Sequence, residues 1–297
     1  MSNRKISSLI PAAALLAALP AQGQEPQPEG APQARANALA EAQARASADA
    51  VLEDALQALD ETGRALEALT GGNPEEAAAA LETAIGKLEA VLERNPGLAL
   101  APVDVATAVH DIAASPADIR RARVRAMQLL EDNQLQLARP IISGLASEIV
   151  ITTTYIPLGT YPLALKSAAA LIRDDSPDTA AQVLANALGT LVVIDSVLPL
   201  PLLNARTLID EARTLSEKAA RSDAENARLS ALLAAIEAQI ARGEALEYGG
   251  RGAFDPLKAE MKEIRRRTAD GGSGTGIFDR LSELFEQIGR EHADATD

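Results

Sequence analysis

Apolar positions fall on helical faces along most of the chain. Leu52, Leu56, Leu59, Gly63 and Leu66 recur at spacings of four and three, which places them on one face of a helix. Gly71-Gly72-Asn73-Pro74 ends that helix and starts another, with Pro74 in a first-turn position and Glu75 and Glu76 suited to a helix N-terminus. The second helix runs through Leu81, Ile85, Leu88 and Leu92 to a stop at Asn95-Pro96-Gly97. The spacing then recurs. Leu69, Ala77, Leu81 and Pro96 form one copy, Leu130, Ala138, Ile142 and Pro157 a second, and Ile172, Ala180, Leu184 and Pro199 a third. An apolar residue, a polar turn, an Ala, a second apolar residue and a distant proline describe a helical hairpin with a stop.

The second hairpin is expected to turn at Glu131-Asp132-Asn133 and the third at Asp174-Asp175-Ser176-Pro177. Their return arms end in the β-branched runs 148–155 and 191–198, which are strand-like by propensity. Register with residues 87–94 of the first copy, which read as plainly helical, favours helix for both. A fourth, longer hairpin follows: Leu208, Ala212, Leu215 and Ala219 on one face, then Leu229, Leu233, Ile236 and Ile240 on another. Ser222-Asp223 supplies the turn and cap, and Gly243 closes the pair. Beyond Tyr248-Gly249-Gly250 come a helix over 255–267, a glycine-rich string at 271–276 read as a flexible linker, and an amphipathic helix over 277–288. Phe278, Leu281, Leu284, Phe285 and Ile288 should dock on the core or on a second subunit. The expected fold is therefore all-α: tandem antiparallel helical hairpins in a repeat-like bundle over 37–247, with a loosely attached C-terminal segment at 248–297.

The N-terminus adds a location. Arg4 and Lys5 precede an apolar run from Ile6 to Leu19 and a small-residue site at Ala21-Gln22-Gly23, the layout of a cleaved secretory signal over 1–23. The run is shorter than the about 20 residues that a membrane span needs. Residues 24–36, rich in Pro and Gln, read as a flexible leader. A periplasmic protein with no membrane insertion after cleavage is the expectation. Cysteine is absent, which excludes disulfides, thiol nucleophiles and thiolate metal sites. The formal net charge of −14, more negative once Arg4 and Lys5 leave, disfavours nucleic acid and anionic membrane as partners.

Candidate chemistry is sparse. There are two histidines, His110 beside Asp111 and His292 in the tail, too few for a zinc enzyme. His110 is expected near a helix as a structural residue, with pH sensing as the sharper alternative. Gly272, Gly274 and Gly276 lack the strand and Lys-Ser/Thr context of a phosphate loop. Arg265-Arg266-Arg267 neighbours Glu260 and Glu263, which favours an ion-paired face. Asp104, Glu148 and Asp195 stand in apolar runs, where a carboxylate needs a partner or a raised pKa. With His110 they are the candidate pH-sensing groups, and structural pairing to Lys166, Arg206 or His110 is the plainer role. Tyr155, Pro157 and Tyr161 cluster around a tight connection and form a candidate ligand groove. No catalytic set, cofactor or metal site is expected.

The strings Leu100-Ala-Pro-Val-Asp-Val105, 147–157 (SEIVITTTYIP), Thr160-Tyr161-Pro162 and 191–201 (LVVIDSVLPLP) resemble the YfdX family of bacterial secreted proteins. The resemblance runs over most of the chain after about residue 45. It implies a periplasmic, mainly helical protein tied to acid or drug stress, with self-association into a homo-oligomer and chaperone-like behaviour. It carries over no catalytic motif. The reading is a non-enzymatic stress protein that binds unfolded or acid-damaged periplasmic proteins. A small-molecule binding module for an antibiotic or metabolite, or an envelope scaffold, are the alternatives.

Overall fold

The computed structural model describes residues 50–250 and 252–296. The expected signal, the leader and the start of the first helix at 37 lie outside the described residues. In chain order the elements are α1 (Ala50–Thr70), α2 (Pro74–Arg94), β1 (Leu100–Asp111), α3 (Pro116–Glu131), α4 (Leu135–Ser143), β2 (Ser147–Pro157), α5 (Tyr161–Arg173), α6 (Pro177–Leu188), β3 (Val192–Pro199), α7 (Leu200–Ser216), α8 (Asp223–Leu246), α9 (Asp255–Thr268) and α10 (Asp279–Thr296). A 3₁₀ turn at Ala269–Gly271 follows α9.

The four expected hairpins are present as α1–α2, α3–α4, α5–α6 and α7–α8. Their turns use the left-handed region where the sequence allows it: Gly72 at φ 78°, Asn133 at 57° and Asp175 at 56°. Ser222 caps α8 with a reciprocal capping box to Glu225.

The chain is mostly helical but not all-α. Residues 148–155 and 192–198 are in strands, and β1, β2 and β3 pair antiparallel in that order, with a bulge at Pro102/Asp104. Local propensity prevails over the repeat register. Gly144 and Gly189 close α4 and α6, and the Ile, Val and Thr residues that follow fit a pleated surface better than a helix. The first copy carries Gly86 at the repeat position of Gly189 but no β-branched run after it, so α2 continues through Gly86 to Arg94 and meets Pro96. The two returning copies are thus helix–turn–helix–strand units.

The sheet joins two helical cores. On one side, α1–α2 packs on α5–α6 around Leu81, Leu88, Leu165 and Leu184, with Ala101, Val103 and Ile156 contributed by the strands. Small Ala side chains at 58, 77, 84 and 180, all fully buried, let these helices approach closely. On the other side, α7, α8, α9 and α10 enclose Ile209, Ile236, Phe254, Ile264 and Phe278. Ile149, Ile151 and Leu200 form the seam between them.

The C-terminal segment is part of the second core and is not loosely attached. Phe278, Leu281, Leu284, Phe285 and Ile288 are all buried there. The glycine string is pinned: Gly274 N–H donates to the Ser216 carbonyl at 3.1 Å, and the Arg221 guanidinium donates to the Gly272 carbonyl at 2.7 Å. Gly243 does not end α8. It marks a close approach, since a Cβ there would lie 2.9 Å from the Phe254 ring. Of the three arginines in α9, Arg266 pairs with Glu263 as expected, whereas Arg265 reaches Glu237 on α8 at 2.6 Å. No described helix is long and apolar enough to cross a membrane.

Candidate functional site

The second hairpin stands apart from its siblings. The first and third pack on one another, but α3–α4 is an excursion between β1 and β2 that packs mainly on α8 through α3. Its small inner face is Ile119, Ala126, Leu129 and Ala138. Repeat position Ala138 is fully buried, like Ala77 and Ala180. Ile142, however, points to solvent where Leu81 and Leu184 are buried, and Leu130 is exposed where Leu69 is buried. With Val124, Met127, Leu135 and Leu137 they make six large apolar side chains, each at least 43% exposed. Across the other described residues only Leu56, Leu163 and Val193 are comparable, each on a different element. Scattered exposed apolar residues are ordinary, whereas a group on one hairpin makes that hairpin the candidate interaction surface.

Cations border this face in an otherwise acidic protein. Arg120 and Arg123 tie α3 to the end of α8: Arg120 pairs with Glu244 at 3.5 Å, and Arg123 donates to the Ala245 carbonyl at 2.8 Å and pairs with Glu247. Arg125 and Arg139 are exposed on the same hairpin.

At the base of the hairpin, where β1 ends and β2 begins, lies a cluster of polar groups. Ile112 N–H donates to the Ala146 carbonyl at 2.9 Å and closes the excursion. The Asp111 carboxylate accepts from Ser147 Oγ at 2.7 Å and from the Arg242 guanidinium at 2.5 Å, and Arg242 also donates to the Ile112 carbonyl. The buried Tyr248 hydroxyl accepts from Ser147 N–H at 2.8 Å and donates to Glu148 Oε2 at 2.8 Å. His292 of α10 meets the Tyr248 ring edge-on, centroids 5.3 Å apart. Burial pushes the Tyr248 phenol well above its ordinary pKa, with Glu148 adding to the rise. Burial holds the His292 imidazole below its usual value, and the Glu148 charge opposes that. The arrangement ties the hairpin base to Arg242 of α8 and to Tyr248 just after it through hydrogen bonds, and Tyr248 meets α10 through the ring of His292. It presents no nucleophile–base pair.

The expected pH-sensing residues separate. Glu148 is half-buried and belongs to the cluster. Asp104 and Asp195 are exposed, Asp195 accepting from Thr152 Oγ1 at 2.5 Å, so neither carboxylate is desolvated. The apolar runs around them alternate in a strand, which turns these acids outward. His110 is exposed on β1 and is the cross-strand partner of Glu148. Lys166 pairs with Glu89 and Arg206 with Glu286, so neither serves the three acids.

The expected ligand groove is not assembled. Tyr161 is 1% exposed and fills the first core, its hydroxyl facing Thr62 without a well-formed hydrogen bond. Tyr155 and Pro157 stay on β2, half-buried. Sequence reasoning missed Asp111, Ser147, Arg242 and Tyr248 as a group, because they come from three separate parts of the chain. For the apolar face a signal was present: Leu130 and Ile142 occupy the same repeat positions as buried residues, on a hairpin with many arginines.

The YfdX family model ("YfdX protein") matches residues 58–197, which spans α1 to β3 and includes the second hairpin. No curated protein matches the chain. A solved structure of Salmonella Typhi YfdX aligns at 15% identity over 50% of this chain and 91% of its own, with a TM-score of 0.35. The family match thus covers a little under half of the chain, and it is this segment, 58–197, that is similar to the YfdX family.

Proposed function

We propose that the protein is a non-enzymatic, acid-responsive binder of unfolded polypeptides in the periplasm, and that the α3–α4 face is where clients dock. The six exposed apolar side chains gathered on one hairpin carry this reading, since exposed apolar surface concentrated in one place is ordinarily an interaction site. Arg125 and Arg139 beside it favour client segments that combine apolar and acidic residues. The N-terminal pattern over 1–23 supports export. The −14 net charge keeps a client complex soluble near neutral pH.

Acid acts through the hairpin base. Protonating Asp111 removes the charge that Arg242 pairs with, and protonating Glu148 weakens its bond from Tyr248. Charging His292 places a cation where burial disfavours one. Each step loosens the tie between the α3–α4 excursion and α8 or α10, which adds the inner face at Ile119 and Leu129 to the surface clients meet. Arg242 and the exposed imidazole of His110, opposite Glu148, also face this junction.

The test is aggregation of an acid-sensitive client scanned from neutral pH to about pH 3. Suppression should strengthen as pH falls, and the Asp111→Asn/Glu148→Gln protein should suppress and bind an apolar dye already at neutral pH. Equal dye binding by that variant and the parent would remove the acid latch. No suppression at any pH would remove client binding.

A further inference from the structure

A cavity of about 490 Å³ lies between the end of β3, α7 and α10. That volume is in the range of small-molecule sites. Val197, Leu198, Leu202, Leu203 and Phe285 give it an apolar floor and walls. The lining also includes three exposed charged residues, Arg206, Glu286 and Arg290. Glu286 Oε1 accepts from the Arg206 guanidinium at 2.6 Å, so one cation and one anion neutralise each other. Arg290 is exposed at the rim and leaves the mouth with an excess positive charge.

Gly289 is the second observation. It sits inside α10, where glycine costs about 1 kcal/mol relative to alanine. It lines the cavity, and a Cβ built there meets nothing within 4 Å. The position tolerates a side chain sterically, and the absence of one keeps the cavity open beside the rim arginine.

We infer that this cavity binds a monoanionic amphiphile: an unbranched or cyclic hydrocarbon tail on the apolar floor, with a single carboxylate held at Arg290. A cationic headgroup would face Arg290 and the already paired Glu286. A neutral one would gain the apolar burial without the ion pair. The site is separate from the α3–α4 face and does not depend on client binding.

The experiment is calorimetric titration of the full-length mature protein with decanoate, below its micellar range, beside decanol and decyltrimethylammonium. Decanoate should bind saturably at one site, decanol about three- to tenfold more weakly because the rim arginine is solvated, and the cation should show no saturable binding. Gly289→Leu narrows the cavity beside Arg290 and should weaken decanoate binding while thermal unfolding stays at or above that of the parent. Gly289→Ala, which adds one methyl to open space, should retain it. Arg290→Gln should bring decanoate down to the affinity of decanol. Decanoate binding unchanged in a folded Gly289→Leu protein, equal binding of decanoate and decanol by the parent, or no saturable decanoate binding would each overturn the assignment.

Discussion

Removing one oxygen from the hairpin base tests how that junction is held. In Tyr248→Phe the ring remains, so packing against the second core and the edge contact with His292 are retained. Two hydrogen bonds vanish: the acceptor for Ser147 N–H and the donor to Glu148. Ser147 is 1% exposed, and an orphaned buried N–H costs about 1–3 kcal/mol. A hydrogen bond to a charged acceptor is worth about 1.5–3 kcal/mol, less here because half-buried Glu148 regains water. Together the loss should be about 2–4 kcal/mol. Urea denaturation near neutral pH measures it, and hydrogen exchange at the Ser147 amide locates it. In Glu148→Gln the amide oxygen still accepts from Tyr248, so that variant should lose less. The double variant should show non-additivity of at least about 0.5 kcal/mol, as expected of touching groups. A Tyr248→Phe loss under about 0.5 kcal/mol, with unchanged exchange at Ser147, would refute the view that this hydroxyl bridges β2 to the C-terminal helices.

Three further outcomes follow from the same geometry. The folded His292 pKa lies below its unfolded value near 6.5, so as pH falls from there the unfolded chain takes up the proton first; stability declines down to the depressed folded value and then levels, and His292→Gln should abolish that decline in pH-dependent urea titrations. Glu225, held at about 2 by Lys218 and Ser222, and Glu237, lowered by Arg265, contribute stability above the unfolded carboxylate range and lose it as pH falls through their folded values, giving a second, more acidic decline that Arg265→Gln should reduce. Gly243→Ala drives a methyl into the Phe254 ring and should cost about 1–3 kcal/mol in thermal or urea unfolding, although alanine is the better helix former.

The hairpins were legible because their determinants are local. Pro74, Asn133, Asp175 and Ser222 each state a turn or cap within a few residues, and all four turns form where they predict. The sheet was misread because two local signals conflicted. Spacing aligned residues 148–155 with a helix, while Ile149, Val150, Ile151 and Thr152 favoured a strand; the preceding helices end at Gly144 and Gly189, whereas Gly86, with no β-branched run after it, stays inside α2. Asp104 then looked embedded only because its neighbours are apolar in sequence, an inference that strand alternation reverses. The cluster around Tyr248 was illegible for a different reason. It joins Asp111, Glu148, Arg242 and His292 across wide sequence separations, and no short motif encodes such a meeting. Glu148 is half-buried, and its partner is a tyrosine hydroxyl rather than a cation.

Whether clients dock on the α3–α4 face is tested most directly by site-specific photocrosslinking. A photoreactive residue at Met127 or Leu137 is compared with one at Leu163, which is 65% exposed but lies alone on α5. An unfolding, acid-sensitive client should crosslink at 127 and 137, more strongly in acid, and only weakly at 163. Equal crosslinking at all three positions, or crosslinking confined to 163, would contradict a client surface on the second hairpin.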